Sequence, residues 1–525
     1  MRKTVWHNAN VLTVDSAFPR AEALVTRDNR IEFVGSSREA LARGGEGAEL
    51  VDLAGRCIVP GFNDNHVHSV ILGDQENQPD LASLRADEIV ALLKERFPAP
   101  RRRQVIVGYD WDYPACPNPR KELLDGAFPD NPVVLAQFGG HGMWLNSRAL
   151  ALLKVAKDRP DPKTGVILRD PDGEPTGVVR EMGNNAILSR HFMRLFFLRS
   201  MREPRMRKAL DIYRRLGITS VQDNTWFFPV LSTLSRLRRR GELTARYSCW
   251  SYGELPWTVP LMRLASYDER WVRRGPRKYF LDGSFSTRTA WLWEAYADDH
   301  GNSGAGSPPE KILPILRSLA RSGAQGAFHA IGDRAVSSFL DAVEQLHRQY
   351  PESRALRLRL EHAQLIRPED IPRLRENGVL VSAQPSALTT PEKDIGLLGK
   401  ERAESAYPYR SLLDAGVHLS FGSDVPGEPT CDPILSIHMV ANRAGSQRIT
   451  AEEALRCYTA ESAYAEFQEG EKGSLTPGKL ADFAVLSHDI STVPRERIRE
   501  IKVEMVVVDG RVVFDRQAEE KQQLQ

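Results

Sequence analysis

His66 and His68 stand one residue apart in Pro60-Gly61-Phe62-Asn63-Asp64-Asn65-His66-Val67-His68, directly after the apolar run Cys57-Ile58-Val59. If that run is a strand, alternation turns both imidazoles to the same side, and two ring nitrogens converge at its end. Converging neutral imidazoles suit zinc and other borderline divalent ions, which take a histidine nitrogen at about 2.0–2.1 Å. The pair alone is weak evidence for a metal. Three further residues strengthen it: His329 ends Gly326-Ala327-Phe328-His329, His362 ends Leu358-Arg359-Leu360-Glu361-His362, and Asp424 ends Leu419-Ser420-Phe421-Gly422-Ser423-Asp424. Each by itself reads as a hydrogen-bonded or half-buried side chain. At the ends of successive strand-like runs, four histidines and an aspartate can surround one point.

Lys278 calls for a separate argument. It sits in Lys278-Tyr279-Phe280-Leu281-Asp282-Gly283-Ser284. A lysine just inside a barrel strand is desolvated, which lowers its pKa and frees the neutral amine. That amine could take up carbon dioxide and give a carbamate able to bridge two divalent ions. On the sequence alone, an ion pair with an acid such as Asp282 is the simpler expectation.

The elements that must position these residues follow from periodicity. The middle of the chain alternates short apolar runs with longer amphipathic stretches, the pattern of repeated βα units and a parallel sheet. Candidate strands fall at 57–62, 216–222, 244–250, 277–282, 325–330, 357–362, 379–384 and 417–423. Eight is the number that closes a (β/α)8 TIM barrel, whose active sites lie at the C-terminal strand ends. The stretch after the first run, rich in Pro, Gly and Asp, reads as a subdomain inserted over the barrel mouth. Both ends of the chain give short strand-like runs, and Asp509-Gly510 between apolar segments is a hairpin signal. The predicted organisation is an α/β chain. Residues 1–56 and 472–525 form a composite β-sandwich domain, 57–74 with 206–471 the catalytic barrel, and 75–205 the insertion.

Composition removes several function classes. The chain has 525 residues, and 71 Lys plus Arg against 69 Asp plus Glu leave a net charge of +2, so bulk electrostatics gives no case for nucleic acid. A small molecule is the expected partner. The basic triplets Arg101-Arg102-Arg103 and Arg238-Arg239-Arg240 read as solvated faces. Five scattered cysteines without a CxxC pair argue against a disulfide framework or a thiolate zinc site. No stretch approaches the roughly 18 apolar residues of a membrane span, and the N-terminus lacks a signal-peptide core. These features predict a cytoplasmic protein with no membrane partner.

At this point the chain resembles a known family. The order His-x-His, lysine, His, His, Asp on strands one, four, five, six and eight resembles the amidohydrolase superfamily of metal-dependent hydrolases. Further segments are similar to its branch amidohydrolase family 3, the YtcJ-like proteins that include N-substituted formamide deformylase. They are Pro60-Gly61-Phe62, Trp111-Asp112, His141-Gly142 with Trp144-Leu145-Asn146-Ser147, Gly217 to Asp223, Asp282-Gly283-Ser284, His329 to Ala335, Glu361-His362-Ala363-Gln364, Gln384-Pro385, Gly422 to Pro426 and Gly478 to Asp482. Asn63 and Asn65 depart from the usual residues of the first motif, and Phe138-Gly139-Gly140 precedes His141 where Asp-Gly is commoner.

The resemblance implies that His66, His68, His329, His362 and Asp424 are metal ligands, with Lys278 as a possible carbamate bridge and one or two Zn2+ per chain. It implies hydrolysis of an amide, N-substituted formamide or imide C–N bond by metal-activated water, with Asp424 as general acid and base and His329 as a catalytic donor. It also implies a homodimer, the commonest symmetric assembly. Trp111, Asp112, His141, Trp144, Glu181 and Asp282 are the candidate substrate contacts, although Trp111 and Trp144 fit a subdomain core equally well. Two other readings stand beside this one. One is a mononuclear deaminase of the same superfamily, against which the absence of an acid directly after His329-Ala330 counts. The other is a binding or regulatory protein that kept the scaffold.

Overall fold

The computed structural model describes residues 2–113, 115–138, 142–161, 165–180, 193–255, 258–264, 268–389 and 391–523. Eight parallel strands form one sheet in sequential order. They are β1 (Phe62–Val67), β2 (Ile218–Trp226), β3 (Arg246–Tyr252), β4 (Val272–Phe280), β5 (Gly326–Ala330), β6 (Arg359–His362), β7 (Leu380–Ala383) and β8 (Leu419–Phe421). The gap between β8 and β1 is bridged where the strands end. Asp424 N donates to His66 O at 2.6 Å and His68 N to Val425 O at 3.0 Å, while Ser423 N donates to the Asp64 carboxylate at 2.8 Å. Gly422 permits this approach, because a Cβ there would lie 2.4 Å from Asn65 Oδ1 and 2.5 Å from His66 N.

Seven of the predicted strands coincide with barrel strands, and the first meets β1 only at Phe62. Cys57–Pro60 pairs with Asn10–Leu12 and Phe483–Leu486 in a terminal sheet, and the barrel strand begins at Phe62. The reason lies in the barrel interior. Asn63 donates to Glu466 at 2.8 Å, Asn65 donates to Ser420 at 2.5 Å and accepts from Ser382 at 2.9 Å, so a polar segment is satisfied where a barrel more often holds branched apolar side chains.

Amphipathic helices cover the outside of the barrel. In Asp333–Gln349 the buried Val336, Phe339, Leu340, Val343 and Leu346 recur at helical spacing, and Phe339 meets Phe328 of β5 with ring centroids 4.8 Å apart. Each such side chain contributes about 1.5–3 kcal/mol of transfer free energy.

Two further sheets lie at the termini, one of four strands all from the N-terminal segment and one of six strands drawn from both ends of the chain. Trp6, Leu24 and Ile31 of the first share a buried cluster with Ile58, Phe483 and Val485 of the second. The hairpin between Val503–Val508 and Arg511–Asp515 turns at Asp509 and Gly510, with φ of 56° and 70°, the left-handed pair that a two-residue hairpin requires. Arg246, at the start of β3, ties these sheets to the barrel through Asp482 at 2.6 Å and Asp509 at 3.1 Å.

The segment after β1 carries a five-stranded sheet containing Ile106–Trp111, Val133–Gln137, Gly142–Leu145, Val166–Arg169 and Pro175–Arg180. All five cysteines are buried free thiols. Among the described residues, no helix is long and apolar enough to cross a membrane.

Candidate metal centre

His66 lies in β1 and His68 just beyond it, while Asp424 follows β8. Bridging of β8 to β1 therefore brings them together. Asp424 Oδ1 lies 3.3 Å from His66 Nε2 and 3.1 Å from His68 Nε2. Two atoms held at zinc bonding distance in a tetrahedron are themselves about 3.3 Å apart, so these spacings fit a shared ion. His362, at the end of β6, offers a third direction: ligand atoms of His66, His362 and Asp424 all fall within 4.8 Å of one another. His329 ends one register step short of His362, since His329 pairs with Glu361 and Ala330 with His362, and the two imidazoles approach to 4.4 Å.

The protons of these rings are placed by their neighbours. His66 Nδ1 is 2.6 Å from Glu361 Oε2, which leaves Nε2 with its lone pair toward the site. His362 Nδ1 is 2.8 Å from Gln384 Oε1, with the same consequence. His329 Nε2 is 3.0 Å from Gly283 O, and donation there leaves the lone pair on Nδ1. Burial lowers the pKa of His66 and, further, of His362, keeping both neutral as ligands must be. Burial would raise Asp424, but His66, His68 and His362 outweigh it and hold the carboxyl well below its ordinary range. Three of the converging residues or their neighbours, His362, Ala363 and Asp424, have φ of 75°, 43° and 56°. Non-glycine residues in that region carry strain that surrounding structure must sustain.

Glu361 is itself buried in a charged network. Arg359 Nε donates to its Oε1 at 2.9 Å, and both side chains are wholly buried inside the barrel. Arg359 also donates to Asn65 O at 3.1 Å and Ser382 at 3.2 Å, and lies over Trp250. Burial would push Glu361 up, yet Arg359 and His66 bring it down to about 2. Sequence reasoning gave Arg359 and Glu361 no role. The available signal was the alternation Arg359-Leu360-Glu361, two charges on one face of a buried strand.

Lys278 of β4 is 2% exposed and its Nζ is 3.3 Å from His66 Nε2. Burial lowers its pKa to about 8 against the pull of Glu361 and Asp424. The amine thus stands beside a ligand of the site. Asp282, which the sequence paired with this lysine or assigned to substrate, has another task. Its buried carboxylate accepts from the backbone N–H groups of Ile331 at 3.0 Å, Gly332 at 2.8 Å and Trp291 at 3.0 Å. It fixes the loop after β5 and lies 3.6 Å from His329 Nε2, which makes it a support for the site.

A cleft opens beside His329, His362 and Asp424, walled by Phe138, Phe285, Leu397, Lys393 and Glu428. The substrate contacts inferred from sequence fall elsewhere or one step back. Trp111 and Trp144 are fully buried in the core of the inserted sheet, 6.2 Å apart, and Trp111 Nε1 donates to Leu135 O. They pack the insertion. Asp112 holds Lys393 at 2.5 Å and so orders one wall of the cleft. His141 and Glu181 lie outside the described residues. The cleft residues that the sequence reading missed, Lys393, Asp394 and Glu428, sit in loops and short helices whose approach to the barrel mouth no local pattern encodes.

The chain has relatives along nearly its whole length. A model described as the amidohydrolase family matches residues 49–514. YtcJ of Bacillus subtilis, a provisionally named amidohydrolase, is 28% identical, with 98% of this chain and 100% of that protein covered. N-substituted formamide deformylase of Arthrobacter pascens is 27% identical over 98% of this chain and 99% of its own. The crystal structure of an uncharacterised metal-dependent hydrolase from Pyrococcus furiosus superposes with a TM-score of 0.73 at 29% identity, covering 93% of this chain and 100% of that one.

Proposed function

The chain belongs to the amidohydrolase family of metal-dependent hydrolases, and from that premise we propose that it hydrolyses a carbon–nitrogen bond of a small molecule, in an amide, N-substituted formamide or imide. The observation that carries the reading is the convergence of His66, His362 and Asp424 within 4.8 Å, with His68 on the same carboxylate. The name of the deformylase relative supports the bond type.

His66, His68, His329, His362 and Asp424 would hold one or two divalent ions, zinc by the nitrogen-rich donor set, with Lys278 as the bridge if it is carboxylated. A bound ion of this kind supplies a water acidic enough to ionise near neutral pH and polarises the substrate carbonyl. Asp424 sits against both His66 and His68, where its carboxylate accepts the proton of the attacking water and returns it to the leaving nitrogen. His329, whose Nε2 donates to Gly283 O, lines the cleft and with its lone pair on Nδ1 would serve there as a ligand or proton acceptor. If the Lys278 amine adds carbon dioxide it gives a carbamate and releases one proton, and burial, which lowers its pKa to about 8, leaves more neutral amine for that step.

Elemental analysis of the purified, unchelated chain beside Asp424→Asn tests the metal, and amine release from N-substituted formamides, linear amides and cyclic imides tests the bond. The expected result is one or two zinc ions per chain and hydrolysis that Asp424→Asn abolishes. A single ion together with ammonia release from ring substrates would favour deamination. Folded protein without metal would overturn the catalytic reading.

A further inference from the structure

We propose that Glu428 is the specificity-determining residue of the cleft and selects substrates whose acyl or N-substituent carries an ammonium or similar N–H cation. The proposal rests on the amide-hydrolase reading above and names its substrate class.

Asp424, Lys393, Asp394 and Glu428 line the same cleft. Three of these have partners: Asp424 meets His66 and His68, Lys393 is held by Asp112 at 2.5 Å, and Asp394 accepts from the Tyr407 hydroxyl at 3.1 Å. Glu428 has neither a hydrogen bond nor an ion pair among the described residues, and it is half-buried in the cleft wall. A half-buried carboxyl without a partner is costly unless something satisfies it. The turn after Asp424 places it there. Gly427 N donates to Asp424 O at 2.7 Å, and a Cβ on Gly427 would stand 3.2 Å from Asp424 Oδ2, so the chain folds closely over the catalytic carboxylate and delivers Glu428 beside it.

The surroundings define the ligand. Phe138, Phe285, Ile331 and Leu397 present apolar surface, while Glu428 is the one charged wall residue left uncommitted among the described residues. Burial, then Asp424, disfavours the Glu428 carboxylate, whereas Lys393 opposes them. A cation brought by the substrate restores the charge that burial disfavours, and charge-assisted N–H donation to a carboxylate is among the stronger polar contacts. An anionic substituent would find no uncommitted cation among the described wall residues, since Lys393 is already held by Asp112. The class that fits is an amphipathic amide with a short hydrocarbon segment and an amino group.

Calorimetric binding of n-pentylammonium and its uncharged counterpart 1-pentanol to the zinc-loaded chain reads this independently of turnover. Wild type should bind the cation at least about tenfold more tightly, and Glu428→Gln should erase that preference with zinc content unchanged. Should Glu428→Gln fail to fold, Glu428→Asp, which withdraws the carboxyl by one methylene, should narrow the preference. A preference that Glu428→Gln or Glu428→Asp leaves unchanged belongs to another group and overturns the proposal. Absence of any preference in wild type, or loss of zinc from the variant, overturns it as well. If the preference holds while no amide is hydrolysed, the reaction assignment fails and the recognition role stands.

Discussion

His66 Nδ1 lies 2.6 Å from Glu361 Oε2, and Glu361 is bound in turn by the buried guanidinium of Arg359 at 2.9 Å. A ligand of the candidate centre is therefore oriented by a charged pair inside the barrel. Glu361→Gln keeps the shape but leaves Arg359 buried without its counter-ion. Breaking such a pair costs about 3–5 kcal/mol, and losing a histidine's outer partner weakens metal binding about 10–100-fold. Urea unfolding of the metal-free chain and zinc competition against a chelator measure the two effects. Unchanged zinc affinity would show that His66 needs no such support.

Lys278 stands 3.3 Å from His66 Nε2 with its pKa brought down to about 8 by burial. If it bridges as a carbamate, Lys278→Met should leave about one ion where wild type holds two, and wild type refolded without bicarbonate should behave like the variant until bicarbonate is restored. Metal content by elemental analysis reads both. Equal content in all samples would place the lysine outside the metal bridge and make it a plain buried amine.

How much of this was legible in the sequence can be traced residue by residue. His329, His362 and Asp424 each close an apolar run, and a parallel barrel brings such ends together, so the convergence followed from pattern and topology. The first strand was misplaced because Cys57–Pro60 is apolar and the true β1 is rich in Asn and Asp. Hydropathy cannot distinguish a polar segment that faces solvent from one satisfied by Glu466, Ser382 and Ser420 inside a barrel. Trp111 and Trp144 were ambiguous for the opposite reason: aromatic residues in a family-like motif serve a core or a pocket equally well. Glu428 required the turn after Asp424 to be seen in three dimensions.

The two tryptophans separate by what their ring nitrogens do. Among the described residues Trp144 Nε1 has no hydrogen-bond partner, whereas Trp111 Nε1 donates to Leu135 O at 2.9 Å. Trp144→Phe removes a buried orphan donor along with some volume, and Trp111→Phe strands a carbonyl. Trp111→Phe should therefore destabilise more, by about 1 kcal/mol, and Trp144→Ala should cost about 3–5 kcal/mol. Thermal unfolding gives the ranking. KM for any amide that the enzyme cleaves should stay within about twofold in Trp144→Phe, because the ring packs the insertion and does not line the cleft. A large KM change confined to that variant would return Trp144 to the substrate wall.

Asp394 gives the cleft a pH dependence of predictable sign. Burial raises its pKa from 3.8 to about 6, although Tyr407 and Lys393 pull the other way. The folded state thus binds a proton that the unfolded chain has already lost between those values. The stability this contributes is fully present below about pH 4 and is lost as pH rises through 6. At pH 7 the ionised carboxylate is a liability of about 1–2 kcal/mol after allowance for its partial exposure. Asp394→Asn still accepts from the Tyr407 hydroxyl, so it should be the more stable protein at pH 7 and lose that advantage by pH 4. Chemical denaturation of both proteins across this range measures the difference. A gap that is constant with pH would mean that Asp394 titrates alike in the folded and unfolded chains and that burial of the cleft wall does not govern its charge.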